Sequence, residues 1–265
     1  MRVEPILTVK NLQVEFQSKT GSQTAVRGVS FQLKPGSVLG IVGESGSGKS
    51  ATCLSILGLL GREARVSGSI QLLGQELTQL PPEAMRKIRG KEISMIMQNP
   101  ISFFDSIATI GKHFVKTLQS HQALTQSEAQ QIAIEHLSAV GLKNAKSLLN
   151  QFPFQLSGGM LQRVMIAIAL SLKPKLLIAD EPTTALDVLT QVQILKLIAQ
   201  LQQQHDMAIL LVTHDLGVIA QLADEVAVMY EGQFIEQSTV TALFDHPQHA
   251  YTRSLLASRP AAIRR

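Results

Sequence analysis

The stretch Gly43-Glu44-Ser45-Gly46-Ser47-Gly48-Lys49-Ser50 constrains this chain more than any other. It follows the apolar run Val38-Leu39-Gly40-Ile41-Val42, and an amphipathic segment begins at Lys49. Strand, glycine-rich loop and helix is the context in which the G-x-x-x-x-G-K-[ST] pattern has a mechanism. The glycines let the backbone curl so that successive N–H groups converge on a polyphosphate, and the new helix aims its positive end at the same anion. Lys49 is expected to reach the β/γ-phosphates, and the Ser50 hydroxyl to ligand Mg²⁺. The reading is a nucleoside triphosphate site on an α/β fold.

The remainder of the chain divides by pattern. From Ile6 to Gly40 it alternates as β-structure, with Leu12, Val14 and Phe16 on one face. Phe16 is either a base-stacking aromatic or a core residue. Ala51 to Leu60 is expected to continue the loop's helix as far as Gly61, and Val66 to Leu73 to form a β excursion closed by Gly74. Ile93 to Met97 reads as a buried strand ending at Gln98. From about 99 to 156 the chain turns polar and helical, a subdomain inserted in an α/β chain. Ser127 is the expected cap of a helix closed by Gly141. Ile101, Phe103 and Phe104 are either core or a docking surface. A helix is expected to open at Ser157, and a strand to run from Lys175 to Asp180. Val188, Val192, Leu195 and Ala199 sit at helical spacing, and Ala208 to Thr213 is a further strand. A hairpin covers Val226 to Gln237, and about 238–265 is a short appendix. Its His246 and His249 lack the further partners a metal site needs.

An apolar strand ending in Asp180 fits a carboxylate that holds Mg²⁺ at a sheet edge. Glu181 is then placed to polarise a water aimed at the γ-phosphate. Composition narrows the class. Among 265 residues no apolar run approaches the roughly 18 that a membrane span requires. Met1 to Lys10 lacks the layout of a signal peptide. The single Cys53 excludes an internal disulfide or a four-cysteine cluster. These features point to the cytosol. The net charge of +4 is modest and scattered, and a solvated face accounts for the run Arg86, Lys87, Arg89 and Lys91.

Leu156-Ser157-Gly158-Gly159-Met160-Leu161-Gln162 resembles the signature motif of ATP-binding cassette (ABC) ATPases, and the similarity covers essentially the whole chain in the family's order. The resemblance implies a single ABC domain over 1–265: a P-loop core, an N-terminal antiparallel β-subdomain and the helical insertion. It implies that Phe16 stacks on adenine, and that residues 43–50 with Ala51 hold ATP. Gln98 would link nucleotide to the helical subdomain and, with Ser50 and Asp180, serve Mg²⁺. Glu181 would be the catalytic base, Ala185-Leu186-Asp187 the dimer-interface loop, and His214 the switch histidine. Ser157, Gly158, Gly159 and Gln162 would meet the ATP of a second subunit in a head-to-tail sandwich. Every family element is present, so the resemblance implies an active ATPase.

No long coiled coil, zinc cysteines or second cassette is present, which leaves the separate ATPase subunit of a membrane transporter. Ala25 to Phe31, the phosphate loop and His249 to Leu256 look like the oligopeptide/dipeptide/nickel importer branch. Met97-Gln98-Asn99-Pro100 and Gly159-Met160-Leu161-Gln162-Arg163 resemble its nickel-type subunit more than the peptide type. Nickel or a related metal chelate is therefore the expected cargo, with peptides as the alternative. A soluble ABC ATPase acting on nucleic acid or ribosomes is the rival. The resemblance implies a homologous ATPase partner, two permeases and an extracytoplasmic binding protein, with no nucleic acid, at the cytoplasmic face of a bacterial inner membrane.

Overall fold

A computed structural model describes residues 4–18, 21–184 and 186–257. Ala185 and the terminal Arg264-Arg265 lie outside the described residues. The chain forms two compact units, residues 1–86 with 208–265, and residues 87–207.

In the first unit, β1 (Leu7–Ser18) pairs antiparallel with β2 (Gly21–Leu33). The register sets Leu7 against Leu33, Val9 against Phe31 and Val14 against Val26, so the alternating apolar residues share a buried face. A bulge after Val9 carries Asn11 at φ 49°, and Ser30 Oγ accepts the Asn11 N–H at 2.8 Å. β3 (Val38–Val42) is buried at every position, as the continuous apolar run requires of a strand covered on both faces. The helix that follows, α1, spans Lys49–Ile56. It stops well before the expected Gly61. Gly58, at φ 59°, donates its N–H to Ser55, and Leu59 donates to Leu54, a Schellman closure that leaves Ile56 as the last helical residue and Leu57 as its cap.

β4 (Ala64–Leu72) pairs with the other edge of β1 and turns through Leu73-Gly74 into β5 (Gln75–Glu76). α2 (Pro82–Ile88) leads to the second unit. Also in the first unit, β8 (Ala208–Val212) runs parallel to β3 on one side, and β9 (Glu225–Tyr230) on the other. α8 (Leu216–Leu222) joins them, β10 (Gln233–Thr239) closes a hairpin on β9, and α9 (Val240–Asp245) and α10 (Ala250–Ala257) follow.

In the second unit, β6 (Ile93–Ile96) and β7 (Leu176–Asp180) are parallel neighbours. Between them in sequence lie α3 (Ile110–Gln119), α4 (Gln126–Ala139), α5 (Ala145–Leu148) and α6 (Gly158–Ser171). Ile110, Phe114 and Leu118, four residues apart on α3, are fully buried. The cap of α4 is Thr125 rather than Ser127. Thr125 Oγ1 accepts the Glu128 N–H, and the Glu128 carboxylate accepts the Thr125 N–H, a reciprocal capping box in which Ser127 takes no part. Phe104 is core, packed edge-on against Phe103 and His113, whereas Ile101 is exposed.

α7 (Val188–His205) corrects a third expectation. It buries Ile194, Leu195 and Ile198, while Val188 is 75% exposed and Val192 also faces outward. Helical period fixes the spacing of a stripe but not which of two adjacent stripes packs. Choosing Ile194 and Ile198 over Val192 and Ala199 turns the buried face by about 100° for each residue of offset.

Candidate nucleotide site

The phosphate loop leaves the buried end of β3 and is held on three sides within the first unit. A Cβ at Gly43 would stand 2.1 Å from the Met229 carbonyl oxygen, and one at Gly48 would stand 2.3 Å from that of Ala25. Gly48 also sits at φ 106°, so backbone conformation and close approach both demand glycine there. Gly232 donates its N–H to the Ser47 carbonyl at 3.0 Å, which ties the β9–β10 turn to the loop. The Lys49 ammonium, buried, donates to the carbonyls of Gly43 at 2.8 Å and Glu44 at 2.6 Å, and to Ser47 Oγ at 3.3 Å. It is folded back onto its own loop. Glu44, Ser45, Gly46 and Ser50 are exposed.

The start of α1 differs from those of α3, α4, α6 and α7. Thr109, Thr125, Ser157 and Asp187 each cap a helix with a side-chain oxygen, but Gly48 brings no side chain to the first turn of α1. A glycine-lined curl that holds a lysine ammonium and leads into a helix without a side-chain cap has the donor set of a phosphate site. Phe16 is half-buried on β1, opposite Gln23 and Ala64, and outside the buried core. His214 is exposed on the link between β8 and α8.

The second unit carries a polar group of its own. Asp180 ends β7 and is only 5% exposed. Glu181 follows with φ 49°, a left-handed turn that redirects the side chain as the strand ends. Gln98, exposed just past β6, donates from Nε2 to Glu181 Oε2 at 3.0 Å, and Thr184 Oγ1 donates to the same oxygen at 2.9 Å. The Gln98 to Glu181 bond joins residues 83 apart in the chain. Thr184 had no signal in the sequence beyond lying three residues after Glu181.

Ser157 is exposed at the start of α6, where its Oγ accepts the Met160 N–H at 3.3 Å, and Gly158 beside it is also exposed. Gln162 departs from the expectation of nucleotide contact. It is fully buried, and its Nε2 donates to the Pro182 carbonyl at 2.8 Å. Position within a helix decides this: Gln162 falls one turn inside α6 on the face that packs, and there it holds the backbone next to Glu181. Asp187 caps α7, accepting the N–H of Thr190 at 3.0 Å and its hydroxyl at 2.7 Å, and these bonds hold its carboxyl below the ordinary range.

The fold and the loop together define a nucleotide-binding ATPase domain. The family model described as "ABC transporter" matches residues 26–184. The chain is 46% identical over 257 residues to the oligopeptide transport ATP-binding protein AmiE of Streptococcus pneumoniae, covering 96% of this chain and 72% of the relative. To the oligopeptide transport ATP-binding protein OppD of Bacillus subtilis it is 47% identical over 262 residues, covering 98% and 73%. Among solved structures, a dimeric ATP-binding cassette in a post-hydrolysis state bound to ADP and Pi, MJ0796, superposes with a TM-score of 0.81 at 26% identity over 88% of this chain and 98% of that one. The cbiO1 protein of Clostridium perfringens, part of the ABC transporter complex cbiONQ, gives 0.73 at 28% identity over 92% of each chain. The chain belongs to the ABC transporter family, as an ATP-binding subunit that hydrolyses ATP.

Proposed function

We propose that this subunit powers the uptake of oligopeptides or dipeptides across a bacterial inner membrane, from the membrane's cytoplasmic face. The observation that carries the cargo is its 46% and 47% identity, over nearly the whole chain, to relatives named for oligopeptide transport. A third, from Lactococcus lactis, is named for dipeptide transport and is 46% identical over 98% of this chain. The nickel reading rests on Met97 to Pro100 and Gly159 to Arg163, and none of these relatives is named for nickel. No helix among the described residues is long and apolar enough to cross a membrane, so two permease subunits would supply the path. An extracytoplasmic binding protein would deliver the solute.

The residues fit the chemistry. The loop and Lys49 would hold the triphosphate, with Phe16 against adenine. No group of three or more His, Cys, Asp or Glu able to hold a metal occurs among the described residues. Mg²⁺ takes hard oxygen donors, and the Ser50 hydroxyl, the Asp180 carboxylate and the Gln98 amide oxygen each offer one, beside the nucleotide's own phosphates. When bound it neutralises charge on the transferred phosphoryl group. Glu181 would accept a proton from the attacking water, its carboxylate oriented by Gln98 and Thr184, and His214 would complete the site near the γ-phosphate. Ser157, Gly158 and Gly159 would close on the ATP of a homologous second subunit.

The test is uptake. The subunit, co-expressed with the permeases, second ATPase and binding protein of a peptide importer, should restore ATP-dependent import of a radiolabelled tetrapeptide to a strain lacking the system. Import of nickel chelate without peptide would move the cargo to nickel. Co-purification with nucleic acid and not with permeases would favour the soluble rival.

A further inference from the structure

The C-terminal arm is built onto the phosphate loop. After α9 the chain returns to β10, where the N–H groups of Gln248 and His249 donate to the Glu236 carboxylate at 2.8 and 2.9 Å. Burial pushes the Glu236 carboxyl up, but these bonds and the neighbouring His249 outweigh it and hold the group below its ordinary value. Arg253 Nη1 donates to the carbonyls of Pro247 and Gln248 at 3.2 and 2.7 Å, and His249 Nδ1 accepts the Tyr251 N–H at 3.1 Å. The start of α10 is thereby fixed against β10. Tyr251 reaches the loop from there: its ring centroid lies 4.5 Å from that of Tyr230, and its Oη accepts the Glu44 N–H at 3.1 Å. Tyr230 directly follows Met229, whose carbonyl fills the space beside Gly43.

We propose that Tyr251 is a positioning residue of the nucleotide site, through which the C-terminal arm holds the leading edge of the phosphate loop in its anion-binding curl. The proposal rests on the loop being the nucleotide site. Glu44 is the first residue after the Gly43 turn, and a hydrogen bond made to a phenol oxygen keeps its N–H from the phosphates. The same bond anchors the loop's entry, so the donors that follow are ordered before the nucleotide arrives. Binding to an ordered cradle loses less conformational entropy than binding to a loose one. Met229 braces Gly43, Tyr251 bonds to Glu44, and Gly232 bonds to Ser47, so the hairpin and the arm behind it grip the loop at three points.

The experiment uses the full chain carrying Tyr251→Phe, which deletes the hydroxyl and keeps the ring against Tyr230. Amide exchange at Glu44, followed by NMR without nucleotide, should accelerate several-fold. The Kd for a non-hydrolysable ATP analogue should rise about 2- to 10-fold, the range expected from one neutral hydrogen bond. KM for ATP should rise by a similar factor with kcat within about twofold, because the loop's chemistry is intact once filled. The thermal midpoint should stay within about 2 °C, less than a general loss of packing produces in a domain this size. Unchanged exchange at Glu44, unchanged affinity, or a fall in midpoint that accounts for the affinity loss would each overturn the proposal. A wild-type chain that fails to bind ATP would instead strike the nucleotide site itself, and Glu44 exchange would still decide the Tyr251 contact.

Discussion

The Glu181 side chain, the proposed base, is left little freedom. Two donors, Gln98 and Thr184, converge on one of its oxygens, and the left-handed backbone beneath fixes where the carboxylate starts. Glu181→Gln should leave ATP binding intact and remove most of the turnover, since an amide accepts no proton from water. Steady-state hydrolysis beside calorimetric binding checks this, and wild-type turnover would take Glu181 out of the catalytic role. Glu76 is the structural counterpart. Burial raises its pKa, but Ser69, the Ile70 N–H and both donors of Thr78 bond to the carboxylate and hold it at about 2. The folded value is depressed, so the carboxylate stabilises the fold above its unfolded pKa near 4.5, and the contribution is lost as pH falls toward about 2. The urea midpoints of wild type and Glu76→Gln should therefore differ clearly at pH 7 and approach each other near pH 3.

At the scale of elements, helix ends decide boundaries. α4 begins where Thr125 and Glu128 satisfy each other's backbone donors, and ends where Gly141 and Leu142 donate back to Ser138 and Leu137. Thr125→Ala should cost about 1 kcal/mol of stability in urea titrations. Ser127→Ala should cost nothing measurable, because Ser127 takes no part in the capping box. Equal losses for the two would mean that the box contributes no stability. The same logic explains α1, whose first turn begins at a bare Gly48 while its last is closed by Gly58. No side chain caps its N-terminus, and its C-terminal carbonyls are met by the N–H groups of Leu57, Gly58 and Leu59.

At the scale of the whole molecule, the proposed head-to-tail partner gives Ser157 its use. Lys49 and Ser50 would hold nucleotide before closure, whereas Ser157 would meet a γ-phosphate only across a subunit boundary. Ser157→Arg should therefore leave this chain's own ATP binding nearly normal and damage hydrolysis at the partner's site. Reconstituted heteromers with one phosphate loop disabled at a time score the two sites separately, and loss of binding by the isolated mutant would mean that the cradle acts in cis. The chain order alone was enough to read the glycine-rich loop, the strands that end at Val42 and Asp180, a third expected to Thr213 that ends one residue earlier at Val212, and the helix start at Ser157. Each is a local pattern in which backbone conformation, period and cap agree within a few residues. Tertiary structure alone decided the rest. Which stripe of α7 packs depends on a neighbouring surface. The burial of Gln162 depends on what lies over its helix. Tyr251 meets Glu44 across 207 residues, and Gln98 meets Glu181 across 83. Hydrogen bonds of such separation leave no period or spacing in the chain, because they form only after the sheets have set their register.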